Sequence, residues 1–279
     1  MVSSPPERVG TQRLMERHGI RPDTDLGQHF LLDENLVDLA LRMADVGPDD
    51  VVLEIGAGLG TLTAALGRTA RAVHAFEVDR RMEPALAESV GGMPGVHVRW
   101  GDCMRADLAA LDPAPTKVVS NLPYHVATPV LVESICDLPG VTEWALMTQR
   151  EVADRWLAAS GSRLYGAPSV VIQLACAPTG RRAVGREVFS PRPRVDSALV
   201  GLHRIALGPD DATRAVVRAA FSARRKTLVN ALGNAGADRD AVRRALRAEG
   251  LPESARPEQV PPQAYPSLAR AIGPLEGAG

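Results

Sequence analysis

Val51-Val52-Leu53-Glu54-Ile55-Gly56-Ala57-Gly58-Leu59-Gly60-Thr61 decides the fold of this chain. The first five residues, apolar except for Glu54, predict a buried strand, and Leu62-Thr63-Ala64-Ala65-Leu66 continues as a helix. A strand, a glycine-rich turn and a helix make the first unit of a nucleotide-binding α/β fold. The glycines let backbone approach a ligand without side-chain interference. Their pattern is G-x-G-x-G, and Thr61 stands where a dinucleotide fingerprint would place its last glycine, which weakens the case for NAD. No Gly-Lys-Ser/Thr of a triphosphate-binding loop occurs.

Two more strands end in carboxylates. Ala72-Val73-His74-Ala75-Phe76 runs into Glu77, placed to accept from both hydroxyls of a ribose. Val96-His97-Val98-Arg99-Trp100 runs into Gly101-Asp102, where a carboxylate can accept from an adenine amine. A solvated acid after a strand is commonplace. The order of glycines, Glu77 and Asp102 along one chain nevertheless describes an adenosine-type pocket and favours S-adenosylmethionine (SAM) over NAD or ATP.

Lys117-Val118-Val119-Ser120 predicts a fourth strand, and Asn121-Leu122-Pro123-Tyr124 follows in the turn at its carboxyl end. This turn suits an exocyclic amine on a flat ring. Such an amine is a poor nucleophile because its lone pair is delocalised. Accepting its two hydrogens on the Asn121 side-chain oxygen and a backbone carbonyl favours the tetrahedral, cationic nitrogen of the transition state. Pro123 stiffens the loop and Tyr124 offers a ring for stacking. A plain Asn-Pro turn before a core tyrosine is the alternative for these four residues alone.

With these stretches in place, the chain resembles the rRNA adenine N6-dimethyltransferases, which include the small-subunit KsgA enzymes and the Erm resistance enzymes. The likeness runs from about Leu26 to about Ile272. Leu26-Gly27-Gln28-His29-Phe30-Leu31 is similar to the family's N-terminal SAM motif, Glu54 to Gly60 to its glycine loop, and Asn121 to Tyr124 to its catalytic motif. The resemblance implies cofactor contacts from His29, Leu31, Gly56, Gly58, Glu77, Asp102 and Asn121, and catalysis by Asn121, Leu122, Pro123 and Tyr124. Further blocks resemble the family at Gln149 to Ala153, Tyr165-Gly166, Phe189 to Ser197 and Phe221 to Lys226, the last two favouring the KsgA branch. Within these, Arg192, Arg194, Arg224, Arg225 and Lys226 are the candidate RNA contacts. The implied activity is dimethylation of two adjacent adenosines in the 3'-terminal hairpin of small-subunit (16S) rRNA, one methyl per SAM, within an assembling 30S particle. Erm-type methylation of large-subunit rRNA and a non-enzymatic rRNA-binding assembly factor are the competing readings. Cys103 and His125 depart from the commonest family pattern. Cys103 reads as a small buried residue and His125 as structural, so the departures touch substrate detail rather than transfer itself.

Composition fits a soluble enzyme. No apolar run approaches the length of a membrane span, and no secretory signal is evident. Cys103, Cys136 and Cys176 lie far apart without C-x-x-C, arguing against a disulfide framework and a zinc site and for a reducing cytoplasm. We expect no metal and a monomer. The net charge of −1 conceals an asymmetry. Residues 178–247 hold 15 Lys or Arg against 6 Asp or Glu, while the rest hold 17 against 27. A basic block after the catalytic half is the electrostatic footprint of a nucleic-acid partner.

These signals predict a mobile N-terminal arm over 1–25, a helix over 33–46, and alternating strands and helices to about 178. Trp144 to Met147 reads as a strand, and Ser169 to Ala175 as either strand or helix. Asp196 to Leu202 reads as the sheet's last, antiparallel strand. The expected fold is α/β: a Rossmann-like, seven-stranded, mostly parallel SAM-dependent methyltransferase domain over 26–206, followed by a small helical RNA-binding domain over 207–279.

Overall fold

The computed structural model describes residues 10–275. Residues up to Ala153 together with Pro178–Arg204 form one compact unit; Asp154–Ala177 and the chain from Ile205 onward form a second.

In chain order the strands are β1 (Phe30–Leu31), β2 (Val51–Ile55), β3 (Ala72–Glu77), β4 (Val96–Trp100), β5 (Lys117–Asn121), β6 (Glu143–Gln149), β7 (Cys176–Val184), β8 (Phe189–Ser190) and β9 (Ser197–Arg204). Seven of them form one sheet in the order β4-β3-β2-β5-β6-β9-β7, while β1 and β8 pair as a separate antiparallel ribbon. Strands β2 to β6 run parallel, and β9 lies antiparallel to β6, Glu143 opposite His203. The seven-stranded, mostly parallel sheet is therefore the one expected. Every residue of β2 and β3 is buried, as in a sheet covered on both faces.

Strand β9 is the last in the chain but not the last in the sheet, because β7 lies outside it. Thr179, Arg181 and Arg182 of β7 are exposed, so an edge strand with little apolar face left no periodic signal. The stretch Ser169 to Ala175 resolves as part of a helix, Ala167–Ala175. The helix expected over 33–46 spans Glu34–Met43, where the Asp33 carboxylate accepts from the Asn35 N–H at 2.8 Å.

Within the expected arm, Thr11–His18 forms a helix whose Leu14 is fully buried against Phe30, Leu59, Met82 and Ala85. Its apolar positions are too few among polar neighbours to show in the pattern. Residues 1–9 lie outside the described residues.

The second unit takes in Asp154–Ala177 because that stretch bonds to later chain. The Tyr165 hydroxyl donates to the Val260 carbonyl at 3.0 Å, and its ring meets Phe221 edge-on at 5.9 Å. Helices Asp211–Ser222, Leu228–Asn234, Arg239–Ala248 and Ala264–Ile272 complete it.

Around β2 the order of the sheet reverses: β3 and β4 extend it to one side, β5 and β6 to the other. The carboxyl ends of β2 and β5 flank that switch point, where open α/β sheets bind ligands. Glycine loop and Asn121 turn are thereby made neighbours.

Candidate active site

A cavity of about 370 Å³ opens at this switch point, entirely within the first unit. Gly56, Gly58 and Gly60 line or border it with φ of +82°, +56° and +84°, values that disfavour any side chain. A Cβ at Gly58 would stand 3.1 Å from the Phe30 ring, and one at Gly60 only 2.7 Å from Leu86 Cδ1. The turn that begins at Asn121 is wedged into the same cradle. A Cβ on Gly56 would lie 3.4 Å from Pro123 Cδ, and one on Gly27 3.3 Å from Pro123 Cβ. Glycines on both sides admit the proline ring, so the sequence blocks around Gly27, Gly56 and Asn121 are three walls of one site.

Asn121, at the end of β5, donates from Nδ2 to the His29 backbone carbonyl at 3.0 Å. A carbonyl can only accept, so the amide nitrogen is the atom facing it and Oδ1 is left as an acceptor. Leu122 lines the same cavity and is buried. The Tyr124 hydroxyl lies 3.1 Å from Ser197 Oγ, and its ring stacks on His29 with centroids 5.6 Å apart. His29 is itself fixed, Nδ1 donating to the Pro191 carbonyl at 2.8 Å.

Glu77 ends β3 nearly buried, at 6 % exposure. Its Oε2 accepts from the Gly58 N–H at 2.7 Å and its Oε1 from the Asp79 N–H at 2.9 Å. Burial pushes its carboxyl above the ordinary range despite these two donors. Asp102 is exposed; its Oδ1 accepts from the Met104 N–H at 3.0 Å. Leu31 and Cys103 line the cavity as buried residues. Burial pushes the Cys103 thiol up to about 11, which disfavours a thiolate at neutral pH.

Glu54 and Thr11 are among the cavity residues not singled out from the sequence. Glu54, inside β2, is 1 % exposed, and its Oε2 has no hydrogen-bond partner. Burial pushes its carboxyl up to about 8. An acid in an otherwise apolar strand was the available signal. Thr11 reaches the cavity from the N-terminal helix, and nothing in the sequence marked it.

The candidate RNA contacts fall into both units. Arg192 and Arg194 are exposed on the loop between β8 and β9 of the first. Arg224, Arg225 and Lys226 are exposed in the second, after helix Asp211–Ser222. Arg224 has an internal task as well: Nη2 donates to the Tyr165 carbonyl at 2.7 Å and the Arg163 carbonyl at 3.2 Å, and its guanidinium lies over Phe221.

A family model described as ribosomal RNA adenine dimethylase matches residues 20–269. The chain belongs to that family. It is accordingly a SAM-dependent rRNA adenine dimethyltransferase. Curated relatives include "Ribosomal RNA small subunit methyltransferase A" of Moorella thermoacetica, 38 % identical over 94 % of this chain and 96 % of the relative. The protein of the same name from Thermobifida fusca is 42 % identical over 88 % and 89 %. Among solved structures, a dimethyladenosine transferase from Plasmodium falciparum superposes with a TM-score of 0.68 at 24 % identity, covering 86 % of this chain and 96 % of that one, a likeness of fold. The 23S rRNA methyltransferase ErmE superposes with a TM-score of 0.64 at 26 % identity, covering 87 % and 99 %.

The residues present fit the cofactor. The left-handed glycine turn brings bare backbone to the cavity wall, and the acceptors Glu54, Glu77 and Asp102 match an occupant with a cationic sulfur, an ammonium and ribose hydroxyls. Among the described residues no group of three His, Cys, Asp or Glu gathers as a metal would require. None of their helices is long and apolar enough to cross a membrane.

Proposed function

We propose that this enzyme dimethylates the N6 amines of two adjacent adenosines in the 3'-terminal hairpin of small-subunit rRNA, on an assembling 30S particle, as a cytoplasmic monomer without a metal. The observation that carries this reading is the Asn121 amide, held by the His29 carbonyl so that Oδ1 remains as acceptor beside the glycine cradle. The small-subunit target is supported by relatives carrying that name at 38 % and 42 % identity.

Bound in the cradle, SAM would supply a methyl group on a positively charged sulfur. Glu77 would accept from the ribose hydroxyls, Asp102 would accept from the cofactor's adenine amine, and Glu54 would offset its positive charge. His29, Leu31, Gly56 and Gly58 would wall it. Asn121 Oδ1 and the Leu122 carbonyl each accept one hydrogen of the target amine, restoring its lone pair as the nitrogen becomes tetrahedral. One face of Tyr124 is taken by His29, and the target base stacks on the other. Pro123 keeps the turn rigid. Catalysis is then positioning and electrostatics, with no covalent enzyme intermediate. Arg192, Arg194, Arg225 and Lys226 supply phosphate contacts, with Arg224 contributing from its anchored position.

The fold likeness to ErmE makes large-subunit methylation the reading to test against. Tritiated-methyl transfer to purified small and large subunits lacking the modification, followed by nucleoside analysis, decides. Label in dimethyladenosine of small subunits is expected; label confined to large subunits would overturn the target.

A further inference from the structure

The N-terminal helix reaches into the cofactor cavity through Thr11, a residue only 4 % exposed that lines it. Thr11 Oγ1 donates to the Leu31 carbonyl at 2.7 Å and lies 2.8 Å from Thr61 Oγ1. A hydroxyl has one proton. Because the Leu31 carbonyl can only accept, that proton is spent there, and the Thr61 hydroxyl must donate to Thr11. Thr61 opens the helix that follows the glycine loop, and its lone pairs alone are left for the cavity it lines. A single buried hydroxyl thus joins the N-terminal helix, β1 and the glycine-loop helix, and sets Thr61 as an acceptor toward a donor-rich, cationic occupant.

The rest of the helix is built to keep Thr11 there. Leu14, one turn on, is wholly buried beside Phe30, which in turn packs against Gly58. At the far end Arg17 and His18 both bond Glu88 of helix Glu83–Val90, His18 Nε2 lying 2.7 Å from Glu88 Oε2. An appendage with no part in the site would not need a buried polar relay at one end and an ionic clasp at the other.

We propose that helix Thr11–His18 is a built wall of the SAM site and that Thr11 is a positioning residue for the cofactor, acting through Thr61 and Leu31. The proposal rests on the cavity being the SAM pocket. Calorimetric SAM affinity, melting temperature and steady-state kinetics of T11V, T11S and E88Q test it. T11V keeps the volume but loses the relay, and SAM Kd is expected to rise about tenfold, the size of one buried hydrogen bond. The KM for SAM should rise with it, while kcat at saturating SAM and the KM for RNA stay near wild type. T11S restores the hydroxyl and should recover most of the affinity. E88Q, remote from the cavity, should weaken SAM in the same direction but less. A folded T11V with wild-type SAM affinity, whatever its melting temperature, overturns the proposal, as does a T11S variant as weak as T11V. Should T11V fail to fold, unchanged SAM affinity in E88Q overturns it. Wild-type protein that binds no SAM would instead sink the cofactor reading itself.

Discussion

Asn121 Nδ2 donates to the His29 carbonyl at 3.0 Å, so the N-terminal motif holds the Asn121 amide in one of its two orientations. A flipped amide would aim two donors at the substrate amine, which also carries donors. Asn121→Ala should therefore lose most turnover while RNA affinity stays close to wild type, because RNA binding is distributed over other groups. Single-turnover methylation beside filter binding checks this. Near-normal methylation would remove Asn121 from the amine-positioning role.

Glu54 predicts a pH dependence. Its carboxyl rises from the ordinary 4.5 to about 8 in the fold, by burial above all. Between those values the folded chain keeps a proton that the unfolded chain has released, so Glu54 makes stability fall as pH rises through that window. A cationic occupant favours the ionised form. SAM affinity should then increase as pH rises toward 8, with proton release on binding below it. Calorimetry in buffers of different ionisation enthalpy measures that release. Glu54→Gln should abolish it, raise the melting temperature of the free protein near pH 8, and weaken SAM. A wild-type protein that releases no proton would show Glu54 already ionised or away from the ligand.

Much of this site was legible because it lies where strands end. Gly56, Glu77, Asp102 and Asn121 each follow an apolar run, and parallel topology brings such ends to one edge of the sheet. What stayed hidden depends on long-range contacts without local periodicity. Thr11 and Leu14 are two buried residues in a polar helix. Edge strand β7 has almost no apolar face, and Tyr165 joins the second unit through Val260, 95 residues later. Glu54 was visible in the motif, but its isolation inside β2 needed the fold to be seen.

Glu77 holds the glycine loop and is the proposed ribose acceptor, and two substitutions separate these roles. Its oxygens hold the Gly58 and Asp79 N–H groups, so Glu77→Ala removes support for the glycine loop as well as the ribose acceptor. We expect SAM binding to weaken by about 1–3 kcal/mol and the melting temperature to drop with it. Glu77→Gln keeps one acceptor and most of the packing, and should weaken SAM with less loss of stability. Calorimetry and thermal melts on both variants are the check. Unchanged SAM affinity in folded Glu77→Ala would take the residue out of the pocket.

The basic cluster in the second unit should split in two. Arg224 is bonded to the carbonyls of Arg163 and Tyr165 and lies over the Phe221 ring, so its removal leaves two acceptors short of a partner beside an aromatic core. Arg225 and Lys226 are exposed in the turn that follows. Neutralising Arg225 and Lys226 together should leave the melting temperature unchanged and flatten the salt dependence of RNA binding, each lost phosphate contact lowering the log–log slope by roughly 0.7 to 0.9. Arg224→Ala should lower the melting temperature first, with any change of slope no larger than one contact's worth. SAM affinity should stay constant in both, since the cofactor cavity is lined by the first unit alone. Salt titrations of RNA binding beside thermal melts measure both effects. If the double variant melts early and keeps its slope, the cluster is structural throughout, and the RNA footprint of the second unit must be sought among its other arginines.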